Sequence, residues 1–278
     1  MRTSTDMSGF LRHIRACRDA RLPGGRVRLW IGDDAVGWVG TAAAACLREF
    51  PAITSGPDGL RLIDAPALGP IARTLAERGL SRWRGEAFDV RARADGPVLA
   101  RVDRGALPVL GVAATGVHVN GLAEREDGTH LWIARRAADK ALDPGKLDHI
   151  VAGGVPAGLT PAQTLVKEAA EEAAIPAALA RQAVPVATIA YAMERPEGLR
   201  RDYLLCYDLR LPPEFRPHAT DGEVESFELW PILRVLEAVR DTDDFKFNVN
   251  LVLIDLFLRR HLIAGPEGAA LREALDSD

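Results

Sequence analysis

The chain has 278 residues, of which 47% are hydrophobic and 27% charged, with a formal net charge of −4. That balance excludes a disordered chain, and arginines scattered among acids exclude a basic nucleic-acid-binding stripe. Three separated cysteines, Cys17, Cys46 and Cys206, with no C-x-x-C pair, argue against a disulfide framework or a zinc site and fit a reduced cytoplasm.

The first twenty residues lack an apolar core of signal-peptide length and read as an amphipathic helix built on Phe10, Leu11 and Ile14. Residues 26–31 and 35–39 flank Gly32-Asp33-Asp34 as a hairpin. Residues 41–50 form an alanine-rich helix capped by Thr41 and stopped before Pro51. A strand at 60–63 and a helix at 71–78 ending at Gly79 follow. Next comes a hairpin of 88–94 and 98–102 about the turn dipeptide Asp95-Gly96. Trp30, Trp38 and Trp83 are expected in core packing rather than on a ligand surface. This α+β unit holds no catalytic constellation and ends at 104–108, which divides the chain into domains 1–108 and 109–278.

In the second part, 111–119 and 130–134 read as strands joined around Glu126-Asp127-Gly128. A glycine-rich loop and an acidic helix come next, then a short helix at 176–182. Residues 184–191 and 202–209 read as paired strands joined by a charged loop at 194–201. A strand at 223–230 precedes helices at 232–239 and 248–261, and the tail after Gly265 is weakly determined. The apolar run at 249–258 is too short for a membrane span and is interrupted by Asn250 and Asp255. No internal repeat is present.

The chemistry concentrates at 142–176. Thr160 at the N-cap, Pro161 at N1 and Gln163 at N3 make a capping box, and the helix ends before Pro176. Glu168, Glu171 and Glu172 cover an arc of about 100° on one helix side. Ala162, Val166, Ala169 and Ala173 fall on a separate apolar face with Leu165 at its edge. Like charges so placed repel one another unless something positive sits among them, and a hard divalent cation is the natural neutraliser. Gly153, Gly154 and Gly158 upstream permit close backbone approach by a phosphate.

Aligned on these glutamates, the stretch from Gly153 to Ile175 resembles the Nudix hydrolase signature G-x5-E-x7-R-E-U-x-E-E-x-G-U, where U is aliphatic. Leu159 stands at the signature's first glutamate, Lys167 at its arginine, Ala169 at its middle aliphatic position and Ala174 at its second glycine. The glutamate and arginine usually brace the loop as a pair, so the bracing here must differ. The segments PGKLDHIVAGG, GVHVNG, WRGEAFDV, DRGALPVLGV, DGEVESFELW and FKFNVNLVLIDLFLRRH resemble one subgroup. In it a Nudix domain follows an uncharacterised N-terminal domain called DUF4743, as in plant Nudix proteins and the Nudix half of a fungal thiamine pyrophosphokinase.

The resemblance implies a Nudix α/β/α sandwich with a mixed sheet, behind a small α+β domain. It implies hydrolysis of a diphosphate joined to an organic group, with Mg2+, or Mn2+ in its place, held by Glu168, Glu171, Glu172 and the Gly153 carbonyl. Glu171, Glu172 or a carboxylate in the loop before Glu223 is the expected general base. Arg135, Arg136, Lys167, Glu223 and Glu225 are the expected substrate contacts. Subgroup relatives act on oxo- and oxy-thiamine diphosphates, which makes these the expected substrates. The alternatives are ADP-ribose or a nucleoside diphosphate sugar, or a ligand sensor without turnover. An isopentenyl diphosphate isomerase activity is disfavoured because residues 142–175 hold no cysteine. His118 and His149 are expected in core or supporting roles, isolated from other metal-ligand types. Thr188, Tyr191 and Tyr207 are weaker candidates for the cleft. Nucleic acid and membrane are not expected partners, and a homodimer is expected only because such dimers are common.

Overall fold

A computed structural model describes residues 7–220 and 222–277. Helix α1 (Ser8–Cys17) opens the described chain, with Phe10, His13, Ile14 and Cys17 buried along one stripe. Strands β1 (Val27–Ile31), β2 (Asp34–Val39), β3 (Ile53–Gly56) and β4 (Gly59–Leu62) form a sheet in the order β2-β1-β4-β3, with only β1 and β4 parallel. Helices α2 (Thr41–Leu47) and α3 (Leu68–Glu77) pack into its core beside the hairpin of β5 (Ala87–Val90) and β6 (Ala100–Asp103) and the short α4 (Leu107–Leu110).

Several expectations for this region change. The N-cap of α2 is Gly40, with Thr41 the first helical residue and no side-chain cap. Strand β3 was hidden because its Thr-Ser-Gly residues are exposed, so no apolar alternation marks it. Val90 pairs with Ala100, so Asp95-Gly96 sits inside a nine-residue loop rather than forming a two-residue turn. The three tryptophans are not core residues. Arg28 lies 3.9 Å from the Trp38 ring centroid, Arg61 5.5 Å from Trp30 and Arg73 3.6 Å from Trp83. Each indole is therefore a partly exposed platform for an arginine, with the apolar guanidinium face stacked on it.

The second part is a seven-stranded mixed sheet. Its strands are β7 (Ala113–Arg125), β8 (Gly128–Arg136), β9 (Leu147–Asp148), β10 (Val151–Gly154), β11 (Val184–Arg195), β12 (Gly198–Arg210) and β13 (Val224–Pro231). The main path is β11-β12-β7-β8-β13, with β10 on β7 and β9 on β8; β12 and β7 run parallel and the other pairs antiparallel. Strands β11 and β12 pair as far as Arg195 and Gly198, so the expected loop at 194–201 is mostly ladder.

Alternation along the strands builds two cores. Leu131 and Ile133 of β8 face one side and Trp132 the other. One side packs on α5 (Pro161–Ala173) and α6 (Ala177–Ala180). The other packs on α7 (Ile232–Asp241), α8 (Val249–Arg259), α9 (Gly265–Asp276) and α1. The result is an α/β/α sandwich behind an α+β unit. Helix α1 joins the core of the second part although it precedes the first sheet in sequence. Asp255 is tolerated in the buried α8 because Arg259, at 2.6 Å, and Arg272, at 2.8 Å, hold its two oxygens.

Candidate functional site

The acidic helix α5 begins as its sequence requires. Gln163 N–H donates to Thr160 Oγ1 at 3.2 Å, and Thr160 N–H donates to Gln163 Oε1 at 2.9 Å. The helix closes at Ala174, which takes the left-handed conformation with φ 52° in place of the signature's glycine.

The glutamates divide by burial. Glu172 is 8% exposed, so the helix's buried face is Thr164, Leu165, Ala169, Glu172 and Ala173, while Ala162 is exposed. The expected split into three outward acids and an apolar stripe through Ala162 is therefore corrected, with the buried face turned to take in Glu172. Ala152 N–H of β10 donates to Glu172 Oε2 at 2.9 Å. Burial still pushes the Glu172 carboxyl well above its ordinary range, and Asp148, Glu168 and Glu223 add repulsion. Glu168 is also raised, first by burial, against the opposing pull of Lys167. Glu171 is exposed.

Lys167 Nζ meets Glu168 Oε1 at 3.2 Å and also bonds Glu171. It is the positive charge among the acids that the helix needed. With Glu168 and Glu171 turned to the lysine and Glu172 turned to β10, the three carboxylates are not gathered around one point.

Gly153 faces Glu168: a Cβ there would lie 2.5 Å from Glu168 Cγ. Only glycine lets β10 pass this close to the glutamate stem. Gly158 has φ +87°, a conformation for which glycine is suited, in a turn closed by Leu159 N–H donating to Pro156 O at 3.2 Å.

Beside Glu172 lies a small concavity lined by Ala134, Arg136, Lys140, Asp148, His149, Ala152, Glu172, Glu223 and Val224. Glu223 thus reaches the site, where Lys140 pairs with it at 2.5 Å. Glu225 falls in a bulge of β13 and points to solvent, outside this lining. Asp221, which stands in the loop before Glu223, lies outside the described residues. Arg136 lines the concavity but is already engaged: it pairs with Asp148 at 2.8 Å and donates to the carbonyls of Asp143 and Leu142. Arg135 donates to the Gly145 carbonyl at 3.0 Å. Both arginines pin the 137–147 loop instead of presenting free guanidiniums. Tyr191 is buried and bonded to Asp202 and Arg200, away from this lining, and Thr188 and Tyr207 also lie outside it.

His118 and His149 are not isolated. Their Nδ1 atoms are 3.3 Å apart, and Asp148 Oδ1 lies 3.9 Å from His149 Nδ1. Among the described residues these three form the only trio of His, Cys, Asp or Glu donors within 4.8 Å of one another. Burial lowers both imidazoles, His149 to about 4, so both are neutral near pH 7. Burial works against the Asp148 carboxylate, but the charges of Lys246 and Arg136 outweigh it and hold the carboxyl low. Lys246 Nζ is 3.5 Å from Asp148 Oδ2. Its own pKa is lowered, because burial outweighs the carboxylate's attraction and Arg136 repels it. Arg136 and Lys246 already pair with Asp148, so its carboxylate is committed within the protein rather than left open to an ion at the histidines. The adjacent Asp148-His149 is the one local sign of this cluster, whereas Lys246 comes from nearly a hundred residues away.

Comparison with known proteins gives consistent matches. A family model described as NUDIX domain matches residues 114–249. The chain is 36% identical to "Nudix hydrolase 20, chloroplastic" of Arabidopsis thaliana, over 96% of this chain and 76% of that protein. It is also 36% identical to "Nudix hydrolase 24, chloroplastic" of the same plant, over 95% of this chain and 76% of that protein. Among solved structures, DR0079 from Deinococcus radiodurans aligns with a TM-score of 0.47 at 21% identity, covering 60% of this chain and 97% of that one.

Proposed function

Because this chain belongs to the Nudix hydrolase family, we propose that the α5–β10 site hydrolyses a diphosphate joined to an organic group. The observation that carries this reading is Glu172: a buried carboxylate, tied to the β10 backbone and raised by burial, beside two further glutamates on the same helix. Nudix hydrolases use divalent metal ions, and this donor set of hard oxygens fits one. Glu168, Glu171, Glu172 and the Gly153 carbonyl would hold Mg2+, or Mn2+ in its place. When bound, the ion neutralises diphosphate charge and lowers the pKa of the attacking water.

The chain's own residues supply the rest. Ala152 N–H fixes Glu172, and the close Gly153 backbone sets the Glu168 stem. Lys167 holds Glu168 and Glu171 apart from one another's charge and is free to turn to a phosphate oxygen when they engage a cation. Glu171, exposed on the same helix, is the candidate to accept the water's proton. Glu223 and Lys140 close the far side of the concavity.

Oxo- or oxy-thiamine diphosphate is the proposed substrate, on the likeness of WRGEAFDV, GVHVNG and FKFNVN to the DUF4743 subgroup. A hydrolysis panel with Mg2+ tests this. Release of the monophosphate from oxothiamine diphosphate supports it. Turnover of ADP-ribose with none of oxothiamine diphosphate removes the thiamine reading and keeps the diphosphatase. The division into domains 1–108 and 109–278 belongs to the same proposal, supported by separate hydrophobic clusters, the first of which runs on to Leu110 and Val112, with α1 docked on the second part. A reducing, cytoplasm-like compartment is supported by three free, buried cysteines, although both plant relatives carry "chloroplastic" in their names. No helix among the described residues is long and apolar enough to cross a membrane.

A further inference from the structure

The loop between β10 and α5 has no charge pair of its own. Leu159 is apolar, and Lys167 is committed to Glu168 and Glu171 on the helix. Yet the loop must be held, because Gly153 and Glu168 are in contact and any drift of one displaces the other.

The hold comes from the first part of the chain. Ala157 N–H donates to the Ala87 carbonyl of β5 at 2.8 Å. The next residue, Phe88, is 2% exposed, and its ring lies so close to Gly154 that a Cβ there would sit 2.7 Å from Phe88 Cζ. The ring is itself backed by Arg104, whose guanidinium is 5.5 Å from the ring centroid and pairs with Glu86 at 2.9 Å. Further contacts fix this unit to the sheet. Arg201 donates to the Gly111 carbonyl at 3.1 Å, and a Cβ on Gly198 would meet the Pro108 carbonyl at 2.5 Å.

We propose that β5 of the N-terminal unit braces the glycine loop, and that Phe88, seated on Gly154, is a positioning residue for Gly153 and Glu168 that replaces the pair Leu159 and Lys167 cannot make. The positioning of a metal site rests on the function proposed above; the bracing does not. A ring packed without voids against a glycine backbone transmits its position, because close-packed interiors yield little. It also gives the N-terminal unit a role in the site without a side chain inside it.

The test uses the full chain with hydrogen exchange and Mn2+ binding followed by electron paramagnetic resonance. Phe88→Leu keeps an apolar residue but loses the ring. Ala157→Pro removes only the donor, at a turn position that accepts proline. Each is expected to raise exchange of the 153–159 amides about tenfold, with the centre of α5 unchanged, as local opening does. Each is also expected to weaken Mn2+ binding about tenfold, as misplaced ligands do. Adding Leu159→Glu and Lys167→Arg to Phe88→Leu is expected to restore both.

Unchanged loop exchange in both variants overturns the bracing. Faster exchange with unchanged Mn2+ affinity overturns the positioning role, and no recovery in the triple variant overturns the replacement. If the parent itself binds no Mn2+, the metal-site reading has failed, and exchange alone then decides the bracing.

Discussion

Glu172 Oε2 lies 2.9 Å from the backbone nitrogen of Ala152, so the last glutamate of the acidic helix is tied to the strand that carries Gly153. One carboxylate is thereby fixed before any ligand arrives, while Glu168 and Glu171 are paired with Lys167.

Glu172→Gln keeps the acceptor for Ala152 but removes the charge, and Glu171→Gln removes the charge that pairs with Lys167. Each should lower kcat on the diphosphate substrate by roughly 10²-fold or more. Steady-state assays with Mg2+ check this, and parent-like turnover in both variants would exclude the site.

The Glu172 carboxyl is raised above its ordinary value of 4.5. The folded state therefore binds this proton more tightly than the unfolded one. Its contribution is fully present below 4.5 and is lost as pH rises through the raised value. Urea unfolding in chelator should show the parent losing stability across that window relative to Glu172→Gln. Parallel pH profiles would contradict it.

On the acid side, His149 is held down to about 4 from an ordinary 6.5. The unfolded chain takes up its proton first, so stability falls as pH drops from 6.5 towards 4. His149→Asn should flatten part of this decline, with buried His118 retaining the rest. The difference between the two unfolding profiles is the measurement.

Gly153→Ala puts a methyl group 2.5 Å from Glu168 Cγ. Overpacking of this kind costs about 1–3 kcal/mol, and displacement of Glu168 should cut kcat about 10²-fold. Thermal unfolding and turnover measured together separate the two effects.

Lys246→Met removes one of the two cations on buried Asp148. Breaking a buried pair from one side should cost about 3 kcal/mol, read as a lower urea midpoint. A change within the scatter of surface substitutions would show that Arg136 alone satisfies the carboxylate.

The acidic helix was legible in full outline because its cap, proline, acids and stop are local signals. The same is true of β1, β2 and the long strands of the second sheet, whose apolar residues lie in runs bounded by turn signals. Strand β3 escaped because it has little apolar surface to show, and α9 because its pattern is weak. Trp30, Trp38 and Trp83 misled because composition favours burial of indoles, while cross-strand neighbours such as Arg28, opposite Trp38, offered cation–π partners instead. Arg135 and Arg136 look like phosphate ligands in a line of text; their carbonyl and Asp148 partners are set by how the 137–147 loop folds back.

By itself the sequence determined the helix, its three acids, the glycine-rich stretch before them, and the family these imply, because each depends on spacing within a few residues. Only the tertiary structure decided that Glu172 is inside and Glu171 outside, that Lys246 neutralises Asp148 across the fold, and that Phe88 rests on Gly154. Those relationships depend on burial and on contacts between distant segments, where desolvation and packing, not local periodicity, assign each residue its role.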